Sequence, residues 1–287
     1  LDTCFQMEKE GNRVTYLKVD QNGLFDLDEL QKAICEDTIL ISIMTVQNEI
    51  GLIQPMAEIG AMVAEHKVLL HSDAAQALGK IPLDVKAMNI NLMSITGHKV
   101  YGPMGLGALY VSNKPRVRLE PVFNGGGQEK NLRSGTLPPP LCVGFGKTCE
   151  LAVTEMPTEA KSLEKMRDDL LERLTTKLDG IHINGSMENR VSGNLNISIE
   201  DVDAESLMAA LPDLAMSSGS ACTSASEESS YVLKAIGLSN EMAEASLRIG
   251  LGRFNTEDEV DYAAERLIDE ITNVREGRKS LSGNAAE

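Results

Sequence analysis

The sequence has too little positive charge for one broad class of protein and no apolar run long enough for another. Its 287 residues carry 27 Lys and Arg against 43 Asp and Glu, a formal net charge of −16. Neutralising nucleic-acid phosphates takes a surplus of Lys and Arg, so no direct nucleic-acid partner is expected, although Lys114, Arg116 and Arg118 could form a local basic patch. The longest apolar run, near Thr38–Met44, is far shorter than the ~18 residues of a membrane span, and no membrane partner is expected.

The cysteines are few, odd in number and without a C-x-x-C pair, which excludes a disulfide framework and a zinc knuckle. They are Cys4, Cys35, Cys142, Cys149 and Cys222. All but Cys222 lie in patterns that can bury a small hydrophobe. We therefore expect a reducing compartment, either the cytoplasm or, in a eukaryote, the mitochondrial matrix.

Short apolar runs alternate with helical patterns in the first half of the chain. This alternation predicts an α/β domain with a largely parallel or mixed sheet. The predicted strands cover residues 12–19, 39–44, 68–71, 92–95 and 107–111, and the predicted helices cover 26–35 and 55–66.

The pattern changes after three consecutive prolines at 138–140. Helices are predicted over 141–156, 157–178, 204–211 and 256–275, and strands over 195–199 and 246–250. We place a boundary near residue 155, which gives a large domain at 1–154 and a smaller α+β domain at 155–287. The small, polar tail from Gly277 to Glu287 is expected to fray.

Lys99 is the first candidate for chemistry, because it follows an apolar strand in a turn that Gly97 and Gly102 flank. An amine held partly out of water there could form a Schiff base. The alternative is an ordinary solvated lysine, which is the commoner case for any single lysine.

Asp73 closes the apolar strand that begins at Val68. A carboxylate in that position needs a cation or good donors, and the protonated pyridine nitrogen of pyridoxal phosphate (PLP) is such a cation. A helix N-cap is the alternative. Gln76 could donate to a ring oxygen, and the 26 residues between Asp73 and Lys99 suffice to bring both to neighbouring strand ends, where ligands of α/β sheets bind.

Two further candidates lie in the second half. Cys222 lies in a Gly/Ser-rich stretch, 217–226, that is too small and polar to pack a core, so its thiol is either structural or exposed for its reactivity. Arg248, inside an apolar strand, either pairs internally or binds a substrate carboxylate with its planar fork. Arg253, beside a turn, is a weaker competitor.

Together these segments resemble the cysteine desulfurases of the IscS/NifS type, within the class-V aminotransferases. The matching segments keep the family's order and run along almost the whole chain. They are Asn48–Gly51, His71–Gln76, Thr96–Lys99, Tyr101–Pro103, Arg133–Thr136, Ser217–Ser224 and Leu251–Phe254. The cysteine segment resembles the IscS group rather than the SufS group.

The resemblance implies a fold-type I PLP enzyme that forms a homodimer and converts L-cysteine to L-alanine. It implies that Lys99 binds PLP covalently, that Asp73 meets the pyridinium nitrogen, and that Gln76 and Asn48 lie near the phenolic oxygen, with Asn48 also near substrate. Thr96 and His98 would contact the phosphate, and Thr136 would reach the partner's cofactor.

The resemblance also assigns roles in sulfur transfer. Arg248 would hold the substrate carboxylate, and Cys222 would accept sulfur as a persulfide. Cys222 would pass the sulfur to an iron–sulfur scaffold protein, or to acceptors for tRNA thiolation, and could serve as a ligand of a cluster shared with the scaffold.

The family also has an N-terminal portion with a Gly-Ala-Thr phosphate-binding turn and a histidine that stacks on the ring. None of the four histidines, His66, His71, His98 and His182, lies in a matching motif, and we expect the family fold to be N-terminally incomplete here. Three alternatives stay open: a related lyase such as a selenocysteine lyase, an aminotransferase, and a PLP-free assembly partner.

Overall fold

Two separate sheets organise the chain, each with its own apolar core. The computed structural model describes residues 1–218 and 229–283, with side chains as far as residue 277. Within these ranges the strands form two four-stranded sheets, which agrees with the predicted α/β architecture.

The first sheet is mixed, as predicted. Its strands are β1 (Leu40–Met44), β2 (Leu69–Asp73), β3 (Leu92–Thr96) and β4 (Gly107–Val111), in that spatial order. The first three strands run parallel, and β4 runs antiparallel to β3. Met44, Asp73 and Ser94 lie in register, so the segments that follow the parallel strands emerge at one edge of the sheet.

Three helices belong to this half: α1 (Asp2–Lys9), α2 (Leu27–Ala33) and α3 (Met56–Glu65). The side chain of Asp26 caps α2 by accepting from the Asp28 amide at 2.8 Å. The helix α3 begins directly after Pro55, where the missing N–H costs nothing. Its apolar side packs under the sheet, and a Cβ on Gly60 would lie 1.8 Å from the carbonyl oxygen of Met88, so only glycine fits there.

The second sheet is antiparallel throughout. Its strands are β5 (Ile181–Ile183), β6 (Asn194–Ile199), β7 (Ser217–Ser218) and β8 (Ser246–Gly250), in the order β5-β6-β8-β7. The accompanying helices are α4 (Pro139–Lys177), α5 (Ala204–Ala210), α6 (Tyr231–Ala235), α7 (Asn240–Glu244) and α8 (Glu257–Gly283). Leu195 and Ile197 of β6 pack against Leu174 of α4 and Ile271 of α8 in a fully buried core.

The two helices predicted over 141–156 and 157–178 are wrong, because α4 continues through Pro157. A proline inside a helix costs about 3 kcal/mol. Apolar burial on both sides of the proline, at Phe145 and Ala152 before it and at Leu163 and Leu170 after it, offsets this cost. The proposed domain boundary near residue 155 falls within α4 and stays a prediction.

The strand predicted over 12–19 is also wrong, since only Val19 forms a bridge, to Phe25. Leu17 and Val19 are partly buried against apolar clusters. Alternating polarity predicts which side chains are buried, but a strand also needs a neighbouring strand with which its backbone can form hydrogen bonds. At the other end, α8 continues past Gly277 to Gly283, because adding a residue to an existing helix is easier than starting one.

The four described cysteines are free thiols. Cys35 contradicts the expectation of burial: it is exposed, and its Sγ lies 3.1 Å from Oδ1 of Asp37. Cys222 lies outside the described residues. Among the helices of the described ranges, none combines the length and the apolar character that crossing a bilayer requires.

Candidate active site

Four of the predicted site residues line one cavity of about 270 Å³. Asn48 follows β1, Gln76 follows β2, and Lys99 follows β3, so all three come from the carboxyl edge of the first sheet. Arg248 enters from β8 of the second sheet. The cavity therefore lies where the two sheets meet, as expected for a ligand site at the strand ends of an α/β sheet.

Asn48 is held by a turn that the side chain of Gln47 closes. The Oε1 atom of Gln47 accepts from the amides of Glu49 at 2.6 Å and Ile50 at 2.8 Å. Gly51 has a φ of 68°, and a Cβ there would lie 2.6 Å from the side chain of Asn194. Glycine thus lets this turn approach the second sheet.

Lys99 lies in a compact turn directly after β3. The Gly97 carbonyl accepts from the amides of Val100 and Gly102, at 3.1 and 2.9 Å. A Cβ on Gly102 would lie 2.8 Å from that same carbonyl oxygen, which explains the glycine. Lys99 lines the cavity but is exposed. The prediction that its amine is held partly out of water is therefore wrong for the chain as described.

Asp73, Thr96 and His98 lie along the same edge without lining the cavity. Asp73 is partly buried, and its Oδ1 accepts from the amide of Ala75 at 2.9 Å, which is the local capping contact that sequence reasoning kept as an alternative. The Thr96 hydroxyl lies 2.9 Å from Nδ1 of the exposed His98.

His71 shares the sheet face of Asp73, two residues along β2. Its Nδ1 lies 2.8 Å from the Ser42 hydroxyl and its Nε2 lies 3.0 Å from the Ser94 hydroxyl, so it links three parallel strands. Burial lowers the pKa of His71, against the opposing charge of Asp73. A neutral imidazole matches a ring placed between two hydroxyls, because it donates at one nitrogen and accepts at the other.

Arg248 joins the two halves of the site. Its Nη1 donates to the Asn48 carbonyl and its Nε donates to the Ser217 hydroxyl, both at 3.1 Å. Among the described residues no carboxylate lies within ion-pairing distance of Arg248, so the internal salt bridge considered for it is not found there. Arg253, the weaker competitor, instead pairs with Glu159 at 2.6 Å.

Cys222 lies in the undescribed segment 219–228, and its predicted roles as nucleophile and as cluster ligand stay untested. The described residues on either side of that segment contact the site. Ser217 binds Arg248 as above, and the Ser230 hydroxyl donates to the buried carboxylate of Glu49 at 2.5 Å. Within the described residues, no group of histidine, cysteine and carboxylate side chains is suited to hold a metal ion.

Thr136 is exposed and does not line the cavity. It lies in the irregular stretch between β4 and α4, whereas the other predicted residues of the first sheet lie in its parallel strands or follow them. Nothing in the described chain brings it to Lys99, and its role toward a partner's cofactor stays a prediction.

Sequence reasoning missed Lys80 and Glu159, and it did not predict that Tyr101 and Arg253 form a cluster with Glu159. Lys80 is partly buried, lines the cavity and donates to Oε1 of Gln76 at 2.5 Å. Burial lowers the pKa of Lys80 to about 8, with help from the charges of Lys99 and Arg248 and against that of Glu159. Gln76 is only four residues away, but Lys99, Glu159 and Arg248 come from distant parts of the chain, so the local sequence does not mark Lys80 as a site residue.

The Tyr101 cluster ties the Lys99 turn to the second half of the molecule. The Tyr101 hydroxyl donates to Oε1 of Glu159 at 3.0 Å and accepts from the amide of Arg253 at 2.6 Å. The guanidinium of Arg253 lies 4.7 Å from the centre of the Tyr101 ring. Through Tyr101, two residues after Lys99, the turn is thus bound to α4 and to the segment after β8.

Comparison with known proteins identifies the family. The model of the family described as aminotransferase class-V matches residues 3–263. The chain is 53% identical over 276 residues to the mitochondrial cysteine desulfurase of Arabidopsis thaliana, with 96% of this chain and 61% of the relative covered. It is 50% identical to the cysteine desulfurase IscS of Rickettsia africae (strain ESF-5), with 96% and 67% covered.

Solved structures agree with this. A NifS-like protein superposes with a TM-score of 0.86 at 33% identity, covering 94% of this chain and 71% of the other. SspA in complex with cysteine superposes with a TM-score of 0.75 at 36% identity, covering 89% and 71%. The chain spans about three-fifths of the length of the curated relatives from Arabidopsis thaliana and Mus musculus. The chain therefore belongs to the aminotransferase class-V family of fold-type I, PLP-dependent enzymes, and within that family it is similar to the cysteine desulfurases of the IscS/NifS type.

Proposed function

We propose that this chain carries much of the active site of a PLP-dependent cysteine desulfurase, a sulfurtransferase that converts L-cysteine to L-alanine. The observation that carries the proposal is the convergence of Asn48, Gln76, Lys99 and Arg248 on one cavity. Relatives at 50–53% identity are named cysteine desulfurase, and a structural neighbour is described as a complex with cysteine.

The donor set at the site fits PLP and an amino-acid substrate. PLP has an aldehyde that reacts with an amine and a pyridinium that pairs with a carboxylate. Its phenolic oxygen accepts from amides, and its phosphate accepts from hydroxyl and imidazole groups. The strand ends carry all of these groups. Lys99 would hold the cofactor covalently, Asp73 would meet the ring nitrogen, and Thr96 with His98 would meet the phosphate. Bound PLP supplies an electron sink for a carbanion at the substrate Cα.

Arg248 is suited to hold the substrate carboxylate. Two of its N–H groups are used, toward Asn48 and Ser217, and a guanidinium has five. The remaining donors can form the paired contacts that carboxylates favour. Because β8 lies inside the second sheet between β6 and β7, Arg248 would orient the substrate from a rigid position.

Sulfur transfer is assigned to Cys222. A thiolate there would bond to the substrate sulfur as the C–S bond breaks, and the electron pair would stay on the substrate carbon, which takes a proton and ends as the methyl group of alanine. The amine of Lys99 can move that proton. Three residues lie between Ser218 and Cys222, a chain spans at most about 3.5 Å per residue, and the neighbouring Ser217 contacts Arg248 of the cavity.

The wider setting is proposed on the same basis. Two copies would associate, since Val122, Phe123, Val143 and Val153 are large apolar side chains that are more than half exposed, and Thr136 would serve the partner's site. The persulfide would supply an iron–sulfur scaffold protein or acceptors for tRNA thiolation. Curated relatives include both mitochondrial and bacterial proteins, and we propose the cytoplasm or the mitochondrial matrix as the compartment.

The test follows colour and products in the full chain. With added PLP, the wild-type chain should turn yellow and release alanine from L-cysteine, and Lys99→Ala should abolish both. Cys222→Ala should keep the colour and lose persulfide formation, whereas Cys35→Ala, which changes an exposed thiol that does not line the cavity, should lose neither. A colourless wild type would favour a PLP-free assembly partner, and a keto-acid product would favour an aminotransferase.

A further inference from the structure

Lys80 has a contact in the cavity that the proposed reaction does not account for. Its Nζ donates to Oε1 of Gln76 at 2.5 Å, four residues earlier in the same turn. Both side chains line the cavity that Lys99 and Arg248 also line. Lys80 is partly buried, so the contact is shielded from water that would otherwise replace it.

This contact determines which way the Gln76 amide points. A glutamine side chain has an acceptor oxygen and a donor NH2 group, and a rotation of half a turn exchanges them. An ammonium group only donates, so beside Lys80 the amide must present its oxygen to the lysine. Its NH2 group then points away, and within the described ranges that group has no protein acceptor.

The charges around Lys80 leave Gln76 as its principal partner. Lys99 and Arg248 carry the same charge as Lys80, and Glu159 is the carboxylate that acts on it. Glu159, however, is already engaged by the Arg253 guanidinium at 2.6 and 2.9 Å and by the Tyr101 hydroxyl. Lys80 therefore acts in the cavity mainly through its hydrogen bond to Gln76 and not as half of an ion pair.

We propose that Lys80 is a positioning residue that fixes the Gln76 amide with its NH2 group available to an acceptor oxygen of a ligand in the cavity. The inference rests on the proposed function only in naming that acceptor, the phenolic oxygen of PLP. Lys80 acts through Gln76 and is not itself assigned a contact with the cofactor.

The first test needs no cofactor. In chain labelled with 15N-glutamine, the side-chain amide signal of Gln76 is identified by its loss in Gln76→Leu. Lys80→Met should shift this signal, Lys80→Arg should keep it near the wild-type position, and Lys86→Met, which removes an exposed lysine six residues away, should leave it unchanged. In the wild type the signal should move with pH around a midpoint of about 8, and this movement should disappear in Lys80→Met. If the Gln76 amide signal is the same in wild type and in the Lys80 variants, the proposal is overturned, independently of whether the chain binds PLP.

The second test measures PLP affinity in a double-mutant cycle. Loss of one hydrogen bond predicts that Lys80→Met weakens PLP binding roughly fivefold to tenfold, with Lys80→Arg restoring most of it. In the Gln76→Leu background the same change should cost less than about twofold, because the group that Lys80 positions is gone. Equal losses in both backgrounds would overturn the proposal. A wild type that binds no PLP would instead refute the proposed function, and the glutamine signal would still decide the role of Lys80.

Discussion

The second sheet has a buried network of polar side chains, whereas the strand ends of the first sheet have some polar groups without a protein partner among the described residues. In the second sheet the polar groups bond to one another: the Asn184 amide donates to Asn196 at 2.8 Å, and the Ser198 hydroxyl lies 2.8 Å from that of Ser246, all of them buried. At the edge of the first sheet, Lys99 and the NH2 group of Gln76 remain available to a ligand. The second sheet is thus a fixed support for Arg248, and the first sheet supplies the groups that ligands can occupy.

Both sheets bury apolar side chains, Leu70 of β2 among them at 0% exposure, but the edge strand β1 leaves a leucine exposed. Leu195 of β6 is 1% exposed, whereas Leu40 of β1 is 45% exposed. Burial, rather than strand membership, decides what an apolar side chain contributes to stability. Removing one leucine of each kind therefore measures what burial contributes to stability.

The largest expected effect is the loss of stability in Leu195→Ala. Truncating a fully buried leucine removes its transfer free energy and leaves a cavity, so the free energy of unfolding should fall by about 2–5 kcal/mol. The matched control is Leu40→Ala, which should change it by less than about 1 kcal/mol. Urea denaturation of both variants gives the comparison, and similar losses would mean that burial does not decide what these two leucines contribute to stability.

The sequence predicts most of this architecture because the periodic signals are local. The strands β1, β3, β4, β6 and β8 coincide with apolar runs in the sequence. The helix α3 begins where Pro55 predicts a helix start. Lys99 and Asp73 could be singled out because each lies at or shortly after the end of an apolar strand. The family resemblance then assigned their roles.

What the sequence does not predict depends on residues that are distant along the chain. Lys80 has an ordinary sequence context, and Glu159 and Arg248, whose charges act on it, lie 79 and 168 residues further on. The continuity of α4 through Pro157 depends on tertiary burial along the helix, which local rules for proline do not include. The contact between the Tyr101 ring and Arg253 likewise joins residues that are distant along the chain.

The contact between the two regions can be weakened at Glu159. In Glu159→Gln the partly shielded guanidinium of Arg253 loses its carboxylate partner, so the free energy of unfolding should fall by about 2 kcal/mol. Glu150→Gln removes an exposed partner of Lys147 from the same helix and should cost less than about 0.5 kcal/mol. Urea denaturation tests both variants, and equal effects would show that the Tyr101 cluster does not fasten the two halves together.

The smallest effect concerns the pH dependence of stability at Glu49, where the first region meets the second. Burial raises the pKa of the Glu49 carboxyl, against the Ser230 hydroxyl and the charge of Arg248, which lower it. The folded chain then keeps a proton at pH values where the unfolded chain has lost it, so this residue makes stability fall as pH rises through that window. Glu49→Gln has no proton to lose, so its free energy of unfolding relative to wild type should be higher at pH 7 than at pH 4. Urea denaturation at both pH values measures this, with Glu150→Gln as the variant whose difference from wild type should stay constant. A relative gain by the wild type at pH 7 would instead mean that Arg248 and Ser230 outweigh burial. In that case the second sheet would supply a charge partner for Glu49, and Arg248 would be less available to a substrate carboxylate.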